Sequence, residues 1–378
     1  MSIDFTSRTM KVTLDTPEEK LQKCPQCGMG HPVYVSGYAR DYHTDQIVLH
    51  PNKGYSFCNC KNLWYTDWKN IDQDEYAKVE RSKTANEKAK RNQEIIFKTK
   101  FQLFTGWKKD IKSFLNIGGG STFLEAHIRE DFGWETTGVD INKTLDTTGH
   151  NLILGDIEKQ ETLDKLGKYD VVWTSHVLEH LQFPLKTLKN IKEKLLTEGG
   201  LLYITLPDPW YFNPDVPSSF VHWWTHQHHQ LWNMDDLVKE LLDMGYIIKV
   251  IGHEPNPIAK EFYIVASNPT KNETKFREFV KGKYKGSNQE IEVPIELIAP
   301  DDVSHNINDI DKDHREGADM VKKLIQEGKK ILPIACNYYG RRTDGFKRYV
   351  AYKELGYKTL KIVISNVEGC QHKQPWVM

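Results

Sequence analysis

The sequence predicts an α/β protein: a doubly wound, seven-stranded sheet with a cysteine-bearing module before it and a small α/β domain after it. Three observations predict this. Between Phe114 and Asn268, short β-rich runs alternate with stretches of helical spacing, the pattern of βαβ units. Four of the six cysteines, Cys24, Cys27, Cys58 and Cys60, crowd into the first 60 positions, too few for a disulfide scaffold and close enough together to hold a metal. After a polar stretch beyond residue 270 the strand–helix alternation resumes. A chain of 378 residues also exceeds one ordinary core and suggests two or three domains at roughly 150 residues each.

The expected order is a zinc-ribbon-like domain over 1–75, a polar connecting helix over 76–98, the large sheet domain over 99–270, a linker over 271–290 and the small domain over 291–378. The seven strands are SFLNI, ETTGVDI, NLILGD, YDVVWTSHV, LLYITLP, YIIKVIG and EFYIVAS; the last two lie close together and imply an antiparallel hairpin at one end. Before the fifth strand, Leu185, Leu188, Ile191, Leu195 and Leu196 share one helical face, with Gly199-Gly200 expected to stop the helix. A later helix starts from Asn233 as N-cap and stops at Gly245. The segment TKNETKFREFVKGKYKGSNQE is polar and glycine-containing, and reads as the linker. Beyond it come IEVPIELIAP, the helix GADMVKKLIQEG, the strand KILPIAC, the helix FKRYVAYKELG and the strand TLKIVIS.

Lys plus Arg number 51 against 52 Asp plus Glu, so no global field draws the protein to nucleic acid or acidic lipid. From Lys78 to Lys112 eleven Lys/Arg face four Asp/Glu, which reads as a solvated helix face. No apolar run approaches the ~20 residues that span a bilayer, and the opening MSIDFTSRTM lacks a basic-then-apolar signal. A cytoplasmic location and no membrane partner are expected; oligomeric state is not legible.

Chemistry concentrates first at LNIGGGSTFLEAHI. Gly118, Gly119 and Gly120 follow a strand and open a helix, where a bare backbone lets a ligand approach and the helix N-terminus offers N–H groups. Asp140 ends the next strand, 20 residues after Gly120, where a carboxylate can accept both ribose hydroxyls. Asp156, in ILGD, is placed to reach an adenine edge. These features recur at successive strand ends, the edge at which such sheets bind ligands.

On these motifs, together with YDVVWTSHVLEHLQFP and LLYITLPDP, the sequence resembles class I S-adenosylmethionine-dependent methyltransferases, particularly the sugar and small-molecule types, over roughly residues 95–270. The resemblance implies a Rossmann-like methyltransferase sheet, S-adenosylmethionine as cofactor, and donor binding by Gly118, Gly119, Gly120, Asp140 and Asp156. Asn116 departs from the acidic residue usual at its position, and Thr122 from the last glycine of the loop. A nicotinamide enzyme would use a similar loop and acid; the VLEHL segment and the terminal hairpin argue against it.

Methyl transfer from a sulfonium needs positioning, and a base only where the acceptor must lose a proton. His176 and His180, one turn apart past the fourth strand, are candidates. So are His226 and His229 in SSFVHWWTHQHHQLWN, which also holds His222 and His228 and is expected to form an acceptor wall. No i, i+4 histidine pair there comes with a matched acidic ligand, so packing and substrate stacking are expected rather than metal binding.

At the N-terminus, CPQCG forms a zinc-knuckle turn, and with YSFCNC it makes a four-thiolate site from Cys24, Cys27, Cys58 and Cys60. Cys58 and Cys60 are one residue apart, so His31, His43 or His50 stands as a substitute ligand, and reduced buried cysteines as the alternative. The arrangement resembles zinc-ribbon segments that precede some sugar methyltransferases, and implies structural zinc.

The C-terminal ILPI, the turn Thr343–Arg348 and AYKELGY resemble the ParB/sulfiredoxin-like fold over about 292–366. That resemblance implies nucleotide phosphate, ATP among the candidates, at Asp344, Gly345, Lys347 and Arg348, with a docking module as the alternative. The leading expectation is a methyltransferase acting on a sugar or nucleotide-sugar. Its alternatives are a bifunctional methyltransferase and ATP-dependent kinase, or a nucleic-acid modification protein; the near-zero net charge disfavours a nucleic-acid partner.

Overall fold

The structure is a computed structural model, and it describes residues 34–40, 47–58, 63–65, 94–95, 97–98, 100–101, 104–119, 123–142, 151–208, 228–254, 261–283, 289–299, 310–337 and 339–364. The chain divides into two compact units, Met1–Asn268 and Pro269–Met378.

Among the described residues the first unit contains two sheets. The smaller is antiparallel throughout: β1 (Tyr34–Arg40), β2 (Ile47–Cys58) and β3 (Leu63–Tyr65) lie in order, and β3 pairs with the short β9 (Gln230–Leu231). β9 directly follows His228 and His229, so these early strands join the large domain through the histidine segment. Cys24, Cys27 and Cys60, and the side chain of Cys58, lie outside the described residues.

The larger sheet holds β4 (Ser113–Ile117), β5 (Glu135–Asp140), β6 (Leu152–Leu154), β7 (Tyr169–Ser175), β8 (Leu196–Pro207), β10 (Ile247–Glu254) and β11 (Glu261–Ser267). Their spatial order is β10-β11-β8-β7-β4-β5-β6. The run from β8 through β7, β4 and β5 to β6 is parallel, and β11 enters antiparallel between β8 and β10. This is the expected seven-stranded sheet with its terminal hairpin. Alternation along each strand sorts side chains to two faces. Leu115, Ile117, Val172, Leu202 and Ile204 pack on one. Phe114, Val171, Trp173, Leu201 and Tyr203 pack on the other, with the Trp173 and Tyr203 rings stacked 3.8 Å apart.

Parallel strands need crossovers. α1 (Phe123–Phe132) joins β4 to β5, and the single turn α2 (Gln160–Leu163) lies between β6 and β7. α3 (Pro184–Asn190) winds into a wider turn over Ile191–Leu195 before β8. The expected apolar face is buried, with Leu188, Ile191, Leu195 and Leu196 fully enclosed. The helix nevertheless ends at Leu195 and not at Gly199-Gly200, because pairing of Leu196 with Tyr169 already starts the strand. α4 (Met234–Asp243) is capped as expected, the Asn233 side chain accepting from the Asp235 N–H at 2.9 Å. Gly245, with φ of 80°, closes that helix.

Two boundaries differ from expectation. The described residues between 94 and 107 are helical and form part of the sheet's cover, so no domain boundary falls at 98. Phe97 and Phe104 are fully buried; the Phe97 ring lies 5.8 Å from Phe114 and 5.7 Å from Trp173. The charged residues around Phe97, Phe101 and Phe104 hid an apolar stripe of helical spacing.

In the second unit, the start of the expected linker is α5 (Lys271–Val280). Phe276 and Val280 are fully buried in this unit's core. A capping box starts it: the Thr270 hydroxyl accepts from the Glu273 N–H at 3.1 Å, and Glu273 accepts from the Thr270 N–H at 2.7 Å. There follow β12 (Glu290–Pro294), α6 (Lys312–Gln326), β13 (Ile334–Cys336), β14 (Arg342–Asp344), α7 (Phe346–Glu354) and β15 (Thr359–Ile364), in the sheet order β12-β15-β13-β14. β14, read from the sequence as part of a turn, pairs antiparallel with β13. Among the described residues no helix is long and apolar enough to cross a membrane.

Candidate functional site

The parallel strands β4, β5, β6 and β7 all end at the same edge, and Gly118, Asp140, Asp156 and His176 sit at or just past those ends. Gly118 has φ of 75° and donates its N–H to the Val139 carbonyl at 2.8 Å. A Cβ there would collide with Cγ2 of Val177, and one at Gly119 would lie 2.6 Å from Oε1 of Glu125. Gly118 is therefore needed for the turn itself, whereas at Gly119 an added Cβ would meet the ends of the Glu125 and Asn116 side chains. Gly120 and Thr122 lie outside the described residues.

Asp140 is 8% exposed at the end of β5, and its Oδ1 accepts from the Asn142 N–H at 2.7 Å. Asp156 accepts from the Glu158 N–H at 2.9 Å. Glu158 in turn accepts from the N–H groups of Gln182 and Phe183 at 2.9 and 2.5 Å, binding the loop after β6 to the turn after β7. Burial raises the Glu158 carboxyl above its ordinary range, against the pull of those two N–H groups.

Glu125, on α1, was not singled out from the sequence. It is 3% exposed beneath the glycine turn, and neither of its oxygens meets a partner at hydrogen-bonding geometry. Burial pushes its pKa up to about 7, helped by the Asp140 charge and opposed by the Asn116 amide. Asn116 and Glu125 thus lie together against the glycine turn, an amide beside a buried acid.

Past β7 the chain turns sharply: His176 adopts φ of 54° and donates its N–H to the Thr205 carbonyl at 3.1 Å. Its ring lies between two carboxylates, Nδ1 at 3.2 Å from Oε1 of Glu179 and Nε2 at 3.3 Å from Oε2 of Glu261. Burial opposes the imidazolium, but the hydrogen bonds and charges of Glu179 and Glu261 prevail and raise its pKa to about 10. Burial likewise opposes a charged Glu179, and the His176 hydrogen bond with the neighbouring histidines brings it down to about 2. The two carboxylates thus favour the His176 cation, which works against the role of base expected of it.

The single 3-10 turn Leu178–His180 carries the second candidate. The His180 ring stands edge-on to His228, their centroids 4.9 Å apart. His228 and His229 are both 4% exposed, and the His229 N–H donates to the Glu179 carbonyl at 2.7 Å. His222 and His226 lie outside the described residues.

In the second unit, Gly345 caps α7 with φ of 97°. Arg348 is already engaged: it donates to the carbonyls of Pro333 and Leu332 at 2.6 and 3.3 Å and pairs with Asp344. Lys347 is exposed, its stem lying against Gly317.

The strand ends of the first unit present a tight glycine turn after β4 and a buried carboxylate at the end of β5, the edge at which doubly wound sheets take a nucleoside. Residues 88–248 match the family model described as a methyltransferase domain, somewhat under half of the chain. No curated protein matches the sequence. Among solved structures, a SAM-dependent methyltransferase from Archaeoglobus fulgidus is 17% identical, the match covering 46% of this chain and 94% of that one at a TM-score of 0.37. One from Methanosarcina mazei is 14% identical, with 45% and 98% covered at 0.35. The [4+2]-cyclase SpnF is 12% identical, with 48% and 81% covered at 0.35. Residues 88–248, which match the methyltransferase-domain model, contain the glycine turn after β4 and the acid at the end of β5.

Proposed function

We propose that this protein transfers a methyl group from S-adenosylmethionine to a small polar acceptor, a sugar or nucleotide-sugar foremost. The observation that carries the reading is the positive-φ glycine turn at Gly118 past the end of β4 beside the buried Asp140 at the end of β5, within the matched segment. The sulfonium, when bound, supplies an already activated methyl group. The chain's own residues then have positional work. The turn at Gly118 and Gly119 admits the donor's backbone-facing side, Asp140 takes the ribose hydroxyls, and Asp156 stands toward the base. The His176 cation, held by Glu179 and Glu261, orients rather than accepts a proton. The base, where the acceptor needs one, is then a histidine of the His180, His226 and His229 group.

The same proposal gives the N-terminal cysteines a structural zinc. It treats the second unit as a ParB/sulfiredoxin-like module whose nucleotide binding falls to Gly345 and Lys347, since Arg348 already serves the fold. Calorimetric titration with S-adenosylhomocysteine tests the central reading. Micromolar binding, weakened in Asp140→Asn and lost in Asp140→Ala, supports it; no binding by the folded wild-type protein removes it.

A further inference from the structure

We propose that Glu179, His180 and His228 bind a divalent cation of the borderline class: manganese, iron(II), cobalt or zinc. One carboxylate oxygen and two imidazole nitrogens from these residues lie within 4.8 Å of one another, close enough for one ion to gather them with small side-chain adjustments. Glu179 is 1% exposed; Oε1 faces His176, while Oε2 is buried with no hydrogen-bond partner. Leaving a carboxylate oxygen so placed is costly unless something positive meets it.

The site is also built in advance of any ligand. Besides the 2.7 Å bond from the His229 N–H to the Glu179 carbonyl, the Gln230 side chain donates to the carbonyls of Leu181 and Gln182, both at 3.2 Å. These bonds fix the His228 segment against the turn that carries Glu179 and His180. Behind the ligands, His176 holds the Glu179 carboxylate and is itself held by Glu261, the outer-shell support that orients ligating groups. His180 is partly exposed, which gives an ion a way in.

Two imidazoles with one carboxylate suit borderline transition metals; calcium and magnesium prefer all-oxygen sites. Three protein ligands leave positions open, as in catalytic rather than structural sites. On the methyltransferase reading, on which this clause alone rests, an open position takes an oxygen of the acceptor, selecting acceptors with a hydroxyl or carboxylate beside the methylated atom.

The test uses metal-stripped full-length protein titrated with Mn²⁺ and followed by electron paramagnetic resonance, beside Glu179→Gln, His180→Ala and His228→Ala. Mn²⁺ is chosen because the N-terminal thiolates are too soft to compete for it. A single bound Mn²⁺ per chain, weakened at least about tenfold in every variant, is the expected result. Co²⁺ added to the wild-type protein provides a readout independent of the variants' folding: d–d bands without thiolate charge transfer are expected from this site. No Mn²⁺ binding, binding unchanged in the variants, or only thiolate-type Co²⁺ bands overturns the proposal. Titration of the same preparations with S-adenosylhomocysteine reports the donor pocket separately, so failure of one reading is not mistaken for failure of the other.

Discussion

Val177 occupies the space that a side chain on Gly118 would need, so the turn after β4 and the turn after β7 are shaped against each other. Gly118→Ala is expected to destabilise the first unit by about 1–3 kcal/mol, because it adds this collision to the strain of a positive φ at a residue with a Cβ. The double variant Gly118→Ala/Val177→Ala removes the collision but not the strain, so it recovers part of the loss attributable to position 118. Urea unfolding of the four combinations checks this, and calorimetry with S-adenosylhomocysteine reports whether the donor turn moves as well.

Glu125 makes stability depend on pH in the direction opposite to an ordinary paired carboxylate. Its pKa is about 7 in the folded chain against 4.5 as the ordinary value, so the folded state holds the extra proton between those limits. The contribution is complete below about pH 4.5 and is lost as pH rises through 7, a change on the order of 3 kcal/mol. Glu125→Gln keeps the shape without the charge and is expected to flatten the stability profile between pH 5 and about 8. Unfolding midpoints across that range decide it, and an unchanged slope would show that the carboxyl stays ionised.

At the start of the second unit, Glu273 both closes the capping box with Thr270 and accepts from Arg341 Nε at 2.6 Å. Thr270→Ala is expected to cost about 1 kcal/mol, the ordinary value of an N-cap. Glu273→Ala should cost more, because Glu273 is 4% exposed and its removal leaves Arg341 without this partner. Phe276→Ala, at a fully buried position, is expected to cost about 3–5 kcal/mol. Thermal unfolding of the three variants gives this order, and a negligible effect of Phe276→Ala would return the segment to a linker.

What could be read beforehand follows from the range of the signals. The sheet was legible because alternation in SFLNI or LLYITLP is local, and the edge proposed for the donor because glycine at 118 follows one strand and the acid at 140 ends the next. α5 was hidden by its lysines and glutamates: the two residues that anchor it, Phe276 and Val280, are few within a polar stretch, and Thr270 with Glu273 was the overlooked sign. The helix around Phe97 was masked by charge in the same way. The Glu179–His180–His228 group has no local signature, since His228 is distant in sequence and is held beside the turn after β7 by the bonds of His229 and Gln230 to Glu179, Leu181 and Gln182. The position of His176 is legible past the fourth strand; of the two carboxylates that favour its cation, Glu179 is local, and Glu261 on the antiparallel strand β11 is brought near only by the folded sheet.

The nucleotide reading of the second unit turns on separating Arg348 from Lys347. Arg348 holds the carbonyls of Leu332 and Pro333 just before β13 and pairs with Asp344 of β14, so Arg348→Ala is expected to destabilise this unit by about 1–3 kcal/mol. Any loss of nucleotide binding in that variant is then explained by the fold alone. Lys347 is exposed, and Lys347→Ala should leave the unfolding midpoint within about 0.5 kcal/mol of the wild type. A phosphate held at the start of α7 would lose a cation in this variant without a loss of fold. Calorimetric titration of the full-length wild-type and Lys347→Ala proteins with ATP is therefore the informative measurement: binding weakened at least about tenfold in the variant supports a nucleotide at Gly345, equal binding places the nucleotide away from Lys347, and no binding in either protein leaves the unit a docking module.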